Sequence, residues 1–221
     1  MRKFTLSALV LALSALDLSA QTSTPPATDV AAALQRRYDT VRDFSADFTH
    51  QHTGGVLRRK LVEQGTVQVK KPGKMRWQYE SPEDKLFVSN GKRLYFYDPE
   101  NNQVTIGEVP EGDQAASAAQ FLAGRGNITR DFDVSFTDGG SAGTYALKLT
   151  PRTPEPEYDW LEVVVDRDRL QIRSLTAVEK QGGRSTFIFS EFKENVGIPD
   201  KTFEFQIPRG VDVIHAGRPK R

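Results

Sequence analysis

The chain has 221 residues, 30 of them basic and 29 acidic, with no cysteine and 38% hydrophobic residues. That length suits one large domain or two small ones. The missing cysteine excludes disulfides, thiol nucleophiles and lipid attachment through a cysteine. The near-balanced charge excludes a general polyanion binder such as a nucleic-acid protein.

Arg2 and Lys3 form a basic start, and Phe4 to Leu16 is mostly apolar but too short to span a bilayer comfortably. Leu18-Ser19-Ala20 follows as a small-residue cleavage site, and Q-T-S-T-P-P-A-T reads as a solvated linker. Residues 1–20 are therefore expected to be a secretory signal peptide, with the mature protein from about Gln21. Their removal takes Arg2, Lys3 and Asp17 away and leaves a net charge of zero. The alternative is a retained N-terminal anchor. No later stretch approaches membrane-spanning length.

Thr28 or Asp29 can cap a helix that runs to about Val41, with Val30, Ala33, Leu34, Tyr38 and Val41 at helical spacing. The period then changes to two. Phe44, Ala46 and Phe48 alternate with polar residues, Thr53-Gly54-Gly55 is a turn, and Arg58 to Lys71 is a long strand interrupted by Gly65, a bulge or bend. Along Lys70 to Asp84 the alternation is sharpest. Met75, Trp77 and Tyr79 share one face with Val67 and Val69, while Lys74, Arg76 and Gln78 face the other way. If that parity survives Pro72-Gly73, Lys71 is a lone cation on the apolar face.

Leu86–Ser89, Arg93–Tyr97 and Gln103–Ile106 continue as strands through turns at Asn90-Gly91 and 98–102, an antiparallel meander. Asp113 can cap a second helix to about Ala123, with Ala115, Ala118, Ala119 and Leu122 as its apolar stripe, flanked by Phe121, and with Gly124 as terminator. Gly124-Arg125-Gly126-Asn127 reads as a loop. Strands resume at 132–136, 145–149, 160–165, 170–178, 185–192 and 203–207. The expected fold is mainly β (α+β): an open, incomplete antiparallel β-barrel of about eleven strands under an α-helical lid, one domain over residues 21–221.

Catalytic chemistry finds little support. His50 and His52 share a strand face without obvious acidic partners and read as surface residues. No nucleophile elbow or phosphate-binding glycine loop is present. The expectation is no enzyme, no cofactor and no metal. The excess is instead apolar: Met75-Trp77-Tyr79, Tyr95-Phe96-Tyr97, Phe187-Ile188-Phe189 and Phe203-Phe205. Each residue alone suits ordinary core packing. Together they exceed what two thin helices can cover, which favours a cavity for something greasy.

These residues resemble the LolA family, periplasmic carriers that move lipoproteins from the inner to the outer membrane of Gram-negative bacteria. The resemblance rests on F-S-A-D-F-T-H at 44–50, K-K-P-G-K-M-R-W-Q-Y-E-S-P at 70–82, L-F-V-S-N-G-K-R-L-Y-F-Y-D-P at 86–99 and Q-V-T-I at 103–106. F-L-A-G at 121–124, A-V-E-K-Q-G-G-R-S-T-F at 177–187 and F-E-F-Q-I-P-R-G-V-D-V at 203–213 complete it. It implies a periplasmic monomer whose partners are acylated lipoproteins, an inner-membrane lipoprotein-releasing ABC transporter that loads it, and the outer-membrane receptor LolB. The acyl-chain cavity is assigned to Met75, Trp77, Tyr79, Val67, Val69 and Phe48. Tyr95, Tyr97, Phe187 and Phe189 are expected on the same wall. Leu34, Tyr38, Phe121 and Leu122 are assigned to the lid.

In that family the residue before the proline is commonly an arginine that holds the lid shut through backbone carbonyls. Here it is Lys71, the expected lid latch, which lacks a guanidinium's fork. The alternative is a lysine snorkelling to solvent at a strand end. A lipid- or lipoprotein-sensing module of the same fold is the runner-up function.

Overall fold

The computed structural model describes residues 24–54, 60–109 and 117–216. The expected signal peptide, the Arg58 strand start, the Asp113 cap with Ala115, and the tail from 217 lie outside the described residues.

Helix α1 (Ala27–Asp39) starts after Pro26, whose φ of −53° is already helical, rather than at a side-chain cap from Thr28 or Asp29. Asp29 instead falls in the first turn and Arg36 and Arg37 in the last, where each complements the helix dipole. Val30, Ala31, Leu34 and Tyr38 form its buried stripe. The chain then enters strands β1 (Asp43–Thr53), β2 (Lys60–Lys70), β3 (Lys74–Ser81), β4 (Lys85–Asn90), β5 (Arg93–Asp98) and β6 (Gln103–Glu108). Short helices α2 (Ala118–Leu122) and α3 (Ile128–Asp131) occupy the connection to β7 (Phe132–Phe136). After it come β8 (Thr144–Pro151), β9 (Trp160–Asp166), β10 (Ile172–Val178), β11 (Arg184–Glu194) and β12 (Asp212–His215).

Among the described residues all twelve strands belong to one open sheet in the order β12-β6-β5-β4-β3-β2-β1-β11-β10-β9-β8-β7. Two local meanders meet along the long β1–β11 seam, and β7 and β12 remain as unjoined edges. All three helices pack their apolar residues into the cluster that holds Phe44, Val67, Met75, Trp77 and Phe189, so they lie on the inner face of the sheet. A mainly β half-barrel with a helical lid is therefore present, with twelve strands where about eleven are expected.

Gly65 marks a real irregularity. The β2–β3 register slips between Gln64 and Gly65, and a Cβ at Gly65 would stand 2.8 Å from the Gln78 carbonyl carbon and 2.9 Å from Tyr79 Cα. Only a residue without a side chain permits that backbone approach.

One expected strand needs correction. The stretch 203–207 is not a strand. Asp200–Phe203 makes a 3-10 turn, and the chain then lies across the outer face. There Phe203 and Ile198 are buried, with Val88 and Val104 buried on the same side of the sheet. Asp200 anchors this strap through Lys70 (2.7 Å) and Lys74 (3.1 Å). The last strand, β12, follows it and pairs parallel with β6, a long-range contact that local alternation does not announce. The 124–127 loop leads directly into α3. Asn127 Oδ1 accepts from the Thr129 and Arg130 N–H groups at 3.1 and 2.9 Å, and Asp131 accepts the Asn127 N–H at 2.7 Å, a reciprocal cap.

Candidate functional site

Under the lid lies a cavity of about 530 Å³. Met75, Trp77, Tyr79 and Phe187 line it, joined by Phe87 and by Ala119 of α2. Phe48 lies behind this wall, edge-on to Trp77 (5.1 Å) and Tyr79 (4.9 Å) between ring centres, and Phe189 tilts against Trp77 at 6.4 Å. Val67 and Val69 are fully buried on the same face and do not reach the cavity surface. Offset and edge-to-face pairs of this kind contribute about 0.5–1.5 kcal/mol each beyond the area they bury. The floor is thus a fixed aromatic block rather than a loose apolar surface.

Tyr95 and Tyr97 are not on this wall. They face the outer side, with ring centres 5.3 and 6.0 Å from Phe205 of the strap. Their neighbours Leu94 and Phe96 line the cavity instead. The ladder register is the reason. Residues paired across a ladder share a face. Trp77 pairs with Phe87 across an odd-numbered connection, and Phe87 with Phe96 because the even-numbered β4–β5 turn couples odd positions to even ones. Met75 pairs likewise with Ser89, and Ser89 with Leu94.

At one end the lid is tied down. Leu34, Tyr38, Phe121 and Leu122 are all buried together, and Tyr38 stacks on Phe121 at 6.4 Å. Lys71 leaves the sheet on the apolar parity. Its Nζ donates to the Tyr38 carbonyl in the last turn of α1 and sits 3.4 Å from the Tyr38 ring centre. The Tyr38 hydroxyl donates to the Leu122 carbonyl at the end of α2, and the Gly73 N–H donates to Ala123 O at 2.9 Å. The C-terminal carbonyls of both helices, which have no partners within their own helices, therefore converge on the 71–73 turn. The double hold that a guanidinium fork would give is divided here between Lys71 and Tyr38. Gly124, at φ +76°, makes room for it: a Cβ there would meet Lys71 Cγ at 2.8 Å.

Burial lowers the Lys71 pKa to about 8, with Asp39 and Glu194 pulling in the other direction. The ammonium is thus mostly charged at neutral pH. An unfolded lysine keeps its proton to about 10.5. Between those values the unfolded chain binds more protons than the folded one, so stability rises with pH. The melting temperature of the wild type relative to Lys71→Met is expected to climb between pH 8 and 10. A flat difference would show that Lys71 is not held in a desolvated site.

Beside the aromatic floor the cavity is polar. Glu63, buried, accepts from Lys85 at 3.2 Å and stands 3.2 Å from His50 Nδ1. His50 Nε2 meets Ser185 Oγ at 2.8 Å, and the Tyr79 hydroxyl lies 3.4 Å from His50 Nδ1. His52 has Glu179 at 3.8 Å. Both histidines therefore have acidic partners, contrary to the expectation of isolated surface residues, because β2 and the β10–β11 turn bring carboxylates that no local spacing indicates. Burial holds the His50 pKa below its ordinary value, against the opposing pull of Glu63. Among the described residues no group of three or more acidic or histidine side chains is placed to hold a metal. No described helix is long and apolar enough to cross a membrane.

Comparison with known proteins places this geometry in context. The family described as outer membrane lipoprotein carrier protein LolA matches residues 39–206. An outer-membrane lipoprotein carrier protein of Chromohalobacter salexigens is 30% identical over 217 residues, covering 98% of this chain and all of that protein. One of the same name from Pseudomonas aeruginosa is 28% identical over 189 residues, covering 84% of this chain and 89% of that protein. A LolA superfamily crystal structure from Nitrosomonas europaea superposes with a TM-score of 0.46 at 14% identity, covering 82% of this chain and 99% of that one.

Proposed function

The chain belongs to the LolA family of outer membrane lipoprotein carrier proteins, and on that footing we propose how it carries its cargo. The protein is a periplasmic lipoprotein carrier. The mature chain, from about residue 21, works as a single monomeric unit after its signal peptide is removed. An inner-membrane lipoprotein-releasing ABC transporter loads it, and the outer-membrane receptor LolB unloads it. The acyl chains lie against Met75, Trp77, Tyr79 and Phe187, and the lid of Leu34, Tyr38, Phe121 and Leu122 closes over the site when it is empty.

The observation that carries this reading is the aromatic cavity under helices whose ends are tied by Lys71, Tyr38 and Gly73. A lipid anchor needs such shelter, because each methylene exposed to water costs about 0.8 kcal/mol. A cavity of about 530 Å³ suits one drug-sized ligand, less than the several chains of an acylated cysteine. Loading therefore requires the lid to swing away. Lid closure then competes with cargo for the same apolar wall, which keeps binding weak enough for delivery.

The test is transfer in vitro. Purified protein added to inner-membrane vesicles with ATP is expected to bring lipoprotein into the soluble fraction and to pass it to immobilised receptor. Lipoprotein that stays in the vesicles would overturn the reading.

A further inference from the structure

The cavity wall has a donor-rich end that acyl chains alone do not need. Trp77 is 2% exposed and turns its ring to the cavity, with its indole nitrogen enclosed by protein. Tyr79 and Lys85 line the same cavity.

The hydrogen bonds around His50 decide what Tyr79 has to offer. A neutral His50 that donates from Nδ1 to the Glu63 carboxylate accepts from Ser185 at Nε2. Nδ1 then carries a proton, and the Tyr79 hydroxyl proton has no acceptor there. Lys85 commits two of its three N–H donors, to Glu63 at 3.2 Å and Glu83 at 3.0 Å. The third is uncommitted. Two donors, from Tyr79 and Lys85, thus meet at one end of the apolar wall around Glu63, whose carboxylate is already taken by Lys85 and His50. A hydrocarbon chain satisfies neither of these donors. A ligand rich in acceptors and without charge satisfies both of them.

We propose that the Tyr79–Lys85 end of the cavity is a subsite for the carbonyl oxygens of fatty-acyl ester and amide linkages, so that the carrier seats the joint between acyl chains and headgroup, as well as the chains. The inference rests on the carrier reading and adds a chemical orientation to it: the linkage lies at the Lys85 end, the chain tails toward Met75 and the lid. Phospholipids carry the same esters, so the test must separate the two sources.

The mature protein is titrated with a diacylglyceryl-cysteinyl peptide and with its dialkyl ether analogue, which keeps the chains and lacks the ester carbonyls. A diacyl phospholipid and its diether form a second pair. The wild type is expected to prefer the ester lipopeptide by about fivefold to tenfold, as one or two buried hydrogen bonds allow. Tyr79→Phe and Lys85→Met should each shrink the ester-over-ether ratio by about threefold, a ratio in which any loss of chain binding or stability common to both ligands cancels. Equal affinity of the wild type for ester and ether peptides overturns the subsite and leaves the carrier reading intact, as does a preference confined to the phospholipid pair. A preference that survives both substitutions also overturns it. Binding of neither peptide overturns the carrier reading and the subsite with it.

Discussion

Replacing Gly65 with alanine is expected to cost about 3 kcal/mol or more of folding stability, a fall in melting temperature of about 6–12 °C. The direction is informative because propensity alone predicts the reverse: in a strand interior alanine is better than glycine by about 0.5–1 kcal/mol. Here the added methyl would collide with backbone, the Gln78 carbonyl group and Tyr79 Cα at 2.9 Å, and backbone in the middle of a sheet cannot swing aside as a side chain can. Relieving the clash means reopening the register slip that lets β2 and β3 bend together. That bend keeps Trp77 and Tyr79 turned toward Phe48, so the same substitution should lower cargo binding. Gly54→Ala is the control. Among the described residues its methyl would meet only His52 Nε2 at 3.7 Å, and it should stay within about 0.5 kcal/mol of wild type. Thermal unfolding of the two variants side by side decides the matter, and equal stabilities would show that the slip is not what holds the sheet's curvature.

Lys71→Leu is expected to load cargo and fail to release it. The substitution removes a charged hydrogen bond to the Tyr38 carbonyl and a cation over the Tyr38 ring, together at most about 2 kcal/mol in favour of the closed lid once the cost of burying the ammonium is set against them. Weakening closure raises the fraction of lid-open carrier and tightens apparent cargo affinity by at most about thirtyfold. The fold should survive. The Tyr38 carbonyl keeps its bond from the Val41 N–H at 3.1 Å, and a leucine fits the apolar parity of the position. Tyr38 still reaches Leu122 through its hydroxyl, so the lid is loosened rather than freed. Lys71→Arg should restore release, because a guanidinium supplies the same charge and more donors. The measurement is receptor-dependent transfer of bound lipoprotein. Normal transfer by the leucine variant, at unchanged melting temperature, would remove Lys71 from any latch.

The period of two along Lys70 to Asp84 determined by itself which residues face inward, since alternation is a property of one strand and needs no partner. It placed Met75, Trp77 and Tyr79 on the buried face together with a single lysine, and the ordered set of motifs placed the chain in its family. Gly65 was legible as an irregularity for the same local reason. The faces of the neighbouring strand were not, although Tyr95 and Phe96 are equally aromatic: which of them faces the cavity depends on register carried across two turns, and that register puts Phe96 inside. Only the tertiary structure decided what the inward lysine touches. Lys71 and Tyr38 are 33 residues apart and Tyr38 and Leu122 are 84 apart, so the division of the lid bond between an ammonium and a phenol is a product of long-range packing. The same holds for Glu63, Lys85 and His50, three unremarkable residues on three strands that become one polar patch when the sheet aligns them. Local chemistry writes the faces of strands, whereas the content of a cavity is settled by which faces the fold brings together.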